Sequence, residues 1–250
     1  MNKKIKKKGK VVLTGKDIHK TFLVGRNRVE VIKGVSVDIN EGDFIILFGS
    51  SGCGKSTLLN ILLGLEEPTK GKVIFMGEDI YQYEEDYRSQ IRKEKVGLVY
   101  QQQNWLKSIS VIENVAFPLV LKGVLREERE QKAYELLKNV GMEDFVDQIP
   151  TELSSGQQQK VAFARALISN PVILVADEPT GNLDSKSSSS LMQMFKNYNE
   201  QGNTIIMVTH DLEFLSFATR SVNMSDGLIL KEYLEGDKEL DQFKFKNGKK

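Results

Sequence analysis

The sequence has one cysteine, one tryptophan, two histidines and five prolines in 250 residues. A single thiol cannot close an internal disulfide, so a reducing compartment is the simpler setting. The longest apolar stretches, such as 44–48 and 115–121, fall far short of the ~18 residues that a membrane-spanning helix needs. Nor is there an excess of charge of either sign. Thirty-five basic side chains face 34 acidic ones, a net charge of +1 that creates no global field for nucleic acid or acidic substrates. No internal repeat is visible, and the only low-complexity stretch is Ser187 to Ser190. What remains is the composition of a soluble globular protein, 40% hydrophobic, with chain enough for one large core.

The charge is unevenly placed. Residues 1–10, MNKKIKKKGK, hold six lysines with no apolar segment behind them, which is not the pattern of a secretory signal. Such a tail reads either as a solvated, disordered arm or as an attractor of anionic lipid head groups. At the other end, residues 236–250 are polar and are expected to form a loosely packed extension.

Three short runs dominate the middle: FIILF at 44–48, VILVA at 172–176 and IIMV at 205–208. Each is too short for a helix and apolar on both faces, as in a central strand of a parallel sheet. The segment 11–39 alternates like antiparallel strands. Residues 86–161 have another texture. Ala133, Leu136, Leu137 and Val140 recur at helical spacing and stop at Gly141; Val161, Ala164, Leu167 and Ile168 mark a second helix ending before Pro171. The spacing predicts a helical insertion in an α/β core.

Each apolar run is followed by a polar cluster: GSSGCGKST, DEPTGNLD and THD. Ligands of open α/β sheets bind outside the carboxyl ends of the strands, so these clusters are expected to meet at one site. Gly49-Ser50-Ser51-Gly52-Cys53-Gly54-Lys55-Ser56 fits G-x-x-x-x-G-K-[ST]. Its glycines let backbone N–H groups close around phosphate oxygens at a helix start. Lys55 then reaches the β- and γ-phosphates and Ser56 ligates Mg²⁺, with Thr57 following. Chance produces this pattern in roughly 2–5% of chains of this length; the strand before it and the helix-like TLLNILLGL after it raise its weight.

Asp177 and Glu178 end the second run. A strand end often carries an acid as a turn or cap residue, but beside a phosphate loop one carboxylate can hold the Mg²⁺ shell and the other can polarise an attacking water. His210 alone reads as a strand-end histidine; its place beside Asp211 after the third run points to the same site. Leu153-Ser154-Ser155-Gly156-Gln157 opens a helix, as a plain serine cap or as a second anion-binding patch. Cys53 is either a small filler or a thiol activated by Lys55.

Taken together, these motifs resemble the nucleotide-binding subunit of ATP-binding cassette (ABC) transporters, over roughly residues 11–233. The resemblance implies an α/β fold: a P-loop NTPase (RecA-like) core with an antiparallel β subdomain and an α-helical subdomain, in one domain spanning 11–235. It implies that GSSGCGKST is the Walker A loop and that Asp177 binds Mg²⁺ with Ser56 and Gln101. It makes Glu178 the catalytic base, His210 the switch histidine and Gln101 the Q-loop glutamine. Ser154, Ser155, Gly156 and Gln157 then form the signature, with Ser155 replacing a glycine of LSGGQ, and Asp184 lies in the D-loop. Phe22 falls where an aromatic ring stacks on adenine; otherwise it is an ordinary strand residue.

The same resemblance implies a homodimer that sandwiches ATP between one subunit's Walker A loop and the other's signature. The permease would be a separate integral-membrane chain of FtsX/MacB-like type, contacted around 101–118, where Trp105 is an interface anchor or is buried under the helices. That places the protein at the cytoplasmic face of the membrane. VEVIKGVSVDI, ENVAFPL and DEPTGNLDS look most like the LolD/MacB branch, which releases lipoproteins or exports peptides and antibiotics. An FtsE-like signalling ATPase is the alternative, and a soluble ABC ATPase acting on nucleic acid is disfavoured by the single cassette. No nucleic-acid partner is expected.

Overall fold

The computed structural model describes residues 9–240 and Phe243; the lysine-rich stretch 1–8 lies outside them. The chain opens with two fourteen-residue strands, β1 (Val11–Val24) and β2 (Asn27–Asn40), joined by a tight turn at Gly25, whose φ of 62° suits a residue without Cβ. Then follow β3 (Phe44–Phe48), α1 (Lys55–Leu62), β4 (Lys70–Phe75), β5 (Glu78–Asp79), α2 (Glu85–Lys95) and β6 (Val96–Tyr100). Helices α3 (Val111–Val120), α4 (Arg126–Asn139) and α5 (Ser155–Leu167) precede β7 (Ile173–Asp177). The chain continues through α6 (Ser185–Glu200), β8 (Thr204–Thr209), β9 (Arg220–Ser225) and β10 (Leu228–Leu234).

Two sheets result. The first is antiparallel, in the order β2-β1-β4-β5, as the alternation over 11–39 predicts. The second runs β10-β9-β3-β8-β7-β6, parallel throughout except for the edge strand β10. Its central strands are apolar on both faces because each face has its own core. Phe44, Ile46 and Phe48 of β3, Leu174 and Ala176 of β7, and Ile205 and Met207 of β8 pack with α3, α4, α5 and α6. The alternate residues Ile45, Leu47, Ile173, Val175, Ile206 and Val208 pack with α1 and the antiparallel sheet. The two-residue period of a strand thus explains why these runs contain no polar position.

Residues 86–161 depart from the expected helical insertion. Val96–Tyr100 is the edge strand of the parallel sheet, paired with β7 in register from Val96↔Ile173 to Tyr100↔Asp177. A five-residue run with two β-branched valines satisfies its backbone better in that ladder than as an isolated helical turn. Gly97 there lets α5 approach, since a Cβ would stand 2.3 Å from the Ala166 carbonyl oxygen. Helices α3 and α4 follow the strand. Of the expected C-terminal extension, 236–250, residues 241, 242 and 244–250 lie outside the described ones. Leu240 is buried, and Phe243 sets its ring edge-on to Phe48 at 5.1 Å and to Tyr233 at 5.8 Å. Both side chains pack into the core that the parallel sheet shares with α3, α4, α5 and α6.

Because β3, β8, β7 and β6 are neighbours and parallel, their carboxyl ends form one edge. The segments beginning at Gly49, His210, Glu178 and Gln101 all emerge there.

Candidate functional site

A cavity of about 400 Å³ opens at that edge. Ser51, Gly52, Gly54, Lys55, Ser56 and Thr57 line one wall, and Gln101, Glu178 and His210 line another. Three separate polar clusters of the sequence are therefore brought together. Gly49, Ser50 and Cys53 complete the loop from behind. Gly49 touches the β9–β10 end so closely that a Cβ would stand 2.1 Å from the Met224 carbonyl oxygen. Cys53 is buried in the core beneath the loop, and its carbonyl accepts a 3.0 Å bond from the Gly227 N–H. Its Sγ lies 3.9 Å from the Lys55 ammonium and is not part of the cavity wall.

Helix α1 starts at Lys55 with Gly54 as its cap, at φ 104°, and no side chain caps its first N–H groups. A helix start without a capping side chain, at the mouth of a cavity, is an anion-binding arrangement. Lys55 is almost wholly buried, and its ammonium donates to the Gly49 and Ser50 carbonyl oxygens at 3.0 Å each.

Opposite the loop, Ser56 Oγ donates to Asp177 Oδ1 at 3.4 Å. Burial raises the Asp177 carboxyl above its ordinary value, and the neighbouring Glu178 adds to the rise. Glu178 occupies left-handed backbone space at φ 48°, an uncommon conformation for a residue with a side chain. Its N–H donates to the Val208 carbonyl at 2.9 Å, which fixes the turn. Glu178 Oε2 then meets His210 Nδ1 at 2.8 Å. That contact raises the imidazole above its ordinary value, against the opposing effect of partial burial. Thr180 Oγ1 donates to Asp211 Oδ2 at 2.9 Å, holding the residue after His210.

Gln101 reaches from the end of β6 into the cavity and lies against Gly181, where a Cβ would stand 2.6 Å from its Nε2. Hard oxygen donors on Ser56, Asp177 and Gln101, the Asp177 carboxyl being one that burial destabilises as an anion, fit a small dication that keeps water and phosphate ligands, as Mg²⁺ does.

Not every expected residue reaches the cavity. Phe22 lies in β1 opposite Val29, with the Lys20 ammonium 4.9 Å from its ring centre, and is not in the cavity wall. From this sheet Val31 lines the cavity instead, a position that strand alternation alone does not single out. Ser154 caps α5: its Oγ accepts from Gln157 N–H at 3.3 Å, and Gln157 Oε1 accepts from Ser154 N–H at 2.9 Å. Neither residue lines the cavity. Ser155 is exposed on a neighbouring cleft of about 290 Å³ shared with Gln101 and Asn182. Gly156 nears the start of α6, where a Cβ would stand 2.8 Å from Ser187 Oγ. Asp184 caps α6, and the Ser187 N–H, at 2.9 Å from Oδ1, holds its carboxyl below the ordinary range. Trp105 is partly buried against α5, its Nε1 donating to Gln158 Oε1 at 2.9 Å, while Leu106 is exposed.

A family model described as "ABC transporter" matches residues 32–181. An uncharacterized ABC transporter ATP-binding protein of Thermotoga maritima is 44% identical over 213 residues, 85% of this chain and 91% of that one. The macrolide export ATP-binding/permease protein MacB of Chlorobium phaeobacteroides is 43% identical over 216 residues, 86% of this chain. The match spans only 33% of that MacB chain. Among solved structures, the ATP-binding cassette MJ0796 of Methanocaldococcus jannaschii, captured as a post-hydrolysis dimer bound to ADP and Pi, superposes with a TM-score of 0.82. It is 39% identical, with 89% of this chain and 98% of that chain covered.

Proposed function

The chain belongs to the ABC transporter ATP-binding family and is an ATPase, and from that premise we propose that it powers a separate membrane permease of the FtsX/MacB-like type through ATP-driven closure of a homodimer. One observation carries the dimer reading. The cavity holds the phosphate loop, Glu178 and His210, while the capped end of α5 at Ser154–Gln157 lies outside it. A second copy must supply that end if it is to touch the same nucleotide. The MJ0796 cassette, which is a dimer, supports this reading.

In this reading residues 11–235 form a single ATP-binding domain, with its helical subdomain within 86–161. Lys55 and the free N–H groups of α1 hold the β- and γ-phosphates. Phe22, which is not in the cavity wall, offers its ring to the base of the bound nucleotide. Ser56, Asp177 and Gln101 would hold Mg²⁺, which would supply charge neutralisation at the phosphates. Glu178 takes a proton from the attacking water as the water oxygen bonds to the γ-phosphorus and the bond to the ADP oxygen breaks. His210 orients Glu178 through the 2.8 Å contact and adds positive charge near the transferred γ-phosphoryl group. The exposed face around 101–118, with Leu106, receives the permease at the cytoplasmic side of the membrane. The MacB relatives, macrolide export ATP-binding/permease proteins by name, support export or extraction as the work performed.

The test is to purify the Glu178→Gln protein from gently solubilised membranes in MgATP and identify what accompanies it. A permease with a large external domain is expected, together with its exported substrate; cell-wall hydrolases in place of a substrate would mark the signalling role instead. Ribosomal or nucleic-acid proteins without a membrane protein would overturn the permease reading.

A further inference from the structure

Beside the nucleotide cavity lies a cluster of polar side chains, one buried and the rest half-buried, that hydrolysis itself does not use. Gln159, on the second turn of α5, is only 4% exposed. Its Nε2 donates to two successive carbonyl oxygens at the exit of β6, Tyr100 at 3.1 Å and Gln101 at 3.2 Å. Its Oε1 accepts from Gln103 Nε2 at 2.9 Å, and Gln103 Nε2 also donates to the Tyr100 carbonyl. Gln103 Oε1 in turn accepts from Arg165 at 3.2 Å. The Arg165 guanidinium lies 4.3 Å over the Trp105 ring, whose indole N–H is held by Gln158. Burial drives Arg165 down to about 10.

This is a costly way to fasten a loop to a helix, because one buried amide, two half-buried amides and a half-buried guanidinium must each be satisfied. Apolar packing would hold the same segments with less geometric precision. The position of the clamp indicates what that precision serves. Tyr100 is paired with Asp177 across β6 and β7, and Gln101 lines the nucleotide cavity. At the other end, α5 begins at the Ser154 cap two turns or less away.

We propose that Gln159 is a positioning residue whose carboxamide locks the exit of β6 to α5, so that Gln101 and the Ser154–Gln157 end move as one body. Nucleotide arriving at Gln101 thereby sets the orientation of the surface offered to a second copy. The inference rests on the dimer reading above and adds the joint that links one subunit's cavity to its own dimer face.

Trp105 is the only tryptophan in the sequence and sits in the clamp, so its emission reports on the joint directly. In the Glu178→Gln background, MgATP added to dilute protein should shift Trp105 emission. Gln159→Met keeps the length of the side chain and removes its hydrogen bonds. It should leave MgATP affinity within threefold, reduce the Trp105 response by at least half, and weaken ATP-driven dimerisation at least 10-fold. Gln159→Glu, which turns an oxygen toward two carbonyls, should do the same or worse. A full Trp105 response and unchanged dimerisation in Gln159→Met would overturn the proposal. So would a parallel loss of thermal stability and MgATP affinity, the mark of a packing residue only. If Gln159→Met does not fold, Gln103→Met, at a partly exposed position, is held to the same outcomes. Failure of the Glu178→Gln parent itself to dimerise would count against ATP-driven closure, while the Trp105 response at dilute protein still decides the joint.

Discussion

Glu178 Oε2 and His210 Nδ1 stand 2.8 Å apart, joining the turn after β7 to the turn after β8 across the mouth of the nucleotide cavity. The contact favours the imidazolium, so the folded-state value of His210 lies above its ordinary 6.5. A raised histidine stabilises the fold fully below the unfolded value, and the contribution is lost as pH rises through the folded one. With the ring 60% exposed, added salt should shrink the effect. Proton NMR of the two histidines tests this, since only His19 competes for assignment. His210 should titrate above 6.5, and Glu178→Gln should lower its midpoint. The same midpoint in both proteins would show that the contact carries no charge.

Glu178→Gln should hydrolyse ATP at least ~100-fold more slowly while still binding it, because a carboxamide cannot accept the water proton. The backbone at φ 48° and the N–H bond to Val208 remain available to glutamine, so the turn should persist. Single-turnover hydrolysis beside equilibrium ATP binding separates the two effects. Turnover near that of the unmodified protein would remove Glu178 from the role of base.

The cavity is legible in the sequence because backbone geometry writes it there. The spacing of Gly49, Gly52 and Gly54 before Lys55 marks the loop, and apolar strands ending in Asp177-Glu178 and in Thr209-His210 mark the opposite wall. The clamp around Gln159 is not legible, since glutamines at 157, 158 and 159 look alike until the helix turns one of them inward. Val31 escapes for a related reason: alternation marks a strand but not which of its residues faces a ligand. Strand β6 was hidden inside a helix-rich stretch because five residues are too few to set a period. Trp105 could be read as exposed or covered, and only the Gln158 and Arg165 contacts decide for partial burial.

Lys55→Ala offers a separation between fold and ligand. Lys55 is 6% exposed, and its ammonium meets the Gly49 and Ser50 carbonyls and the Cys53 Sγ, without a carboxylate partner among the described residues. Removing it also removes the cost of burying that charge, so the nucleotide-free protein should unfold within a few degrees of the unmodified one. MgATP affinity should fall at least ~100-fold, about 2.8 kcal/mol. The rise in unfolding temperature that MgATP gives the unmodified protein should vanish with it. Thermal scans with and without MgATP read both quantities, and an undiminished ligand-induced rise would exclude Lys55 from phosphate binding.

Ser155 and Ser154 are adjacent but predict different outcomes. Ser154 caps α5, so Ser154→Arg removes a cap at a cost of about 1 kcal/mol and confounds binding with helix stability. Ser155 is exposed at the first helical position and has no side-chain hydrogen bond among the described residues. Ser155→Arg keeps the cap and places a long cation on the face proposed to meet a second copy. Single-subunit ATP affinity should stay within twofold, while ATP-driven dimerisation in the Glu178→Gln background should weaken at least 10-fold. Ser155→Gly, which restores the second glycine of the family's LSGGQ, should change dimerisation by no more than threefold, because serine is small and the backbone N–H groups are retained. Analytical ultracentrifugation with MgATP reads all three proteins. If Ser155→Arg dimerises like its parent, the start of α5 does not lie in the dimer interface.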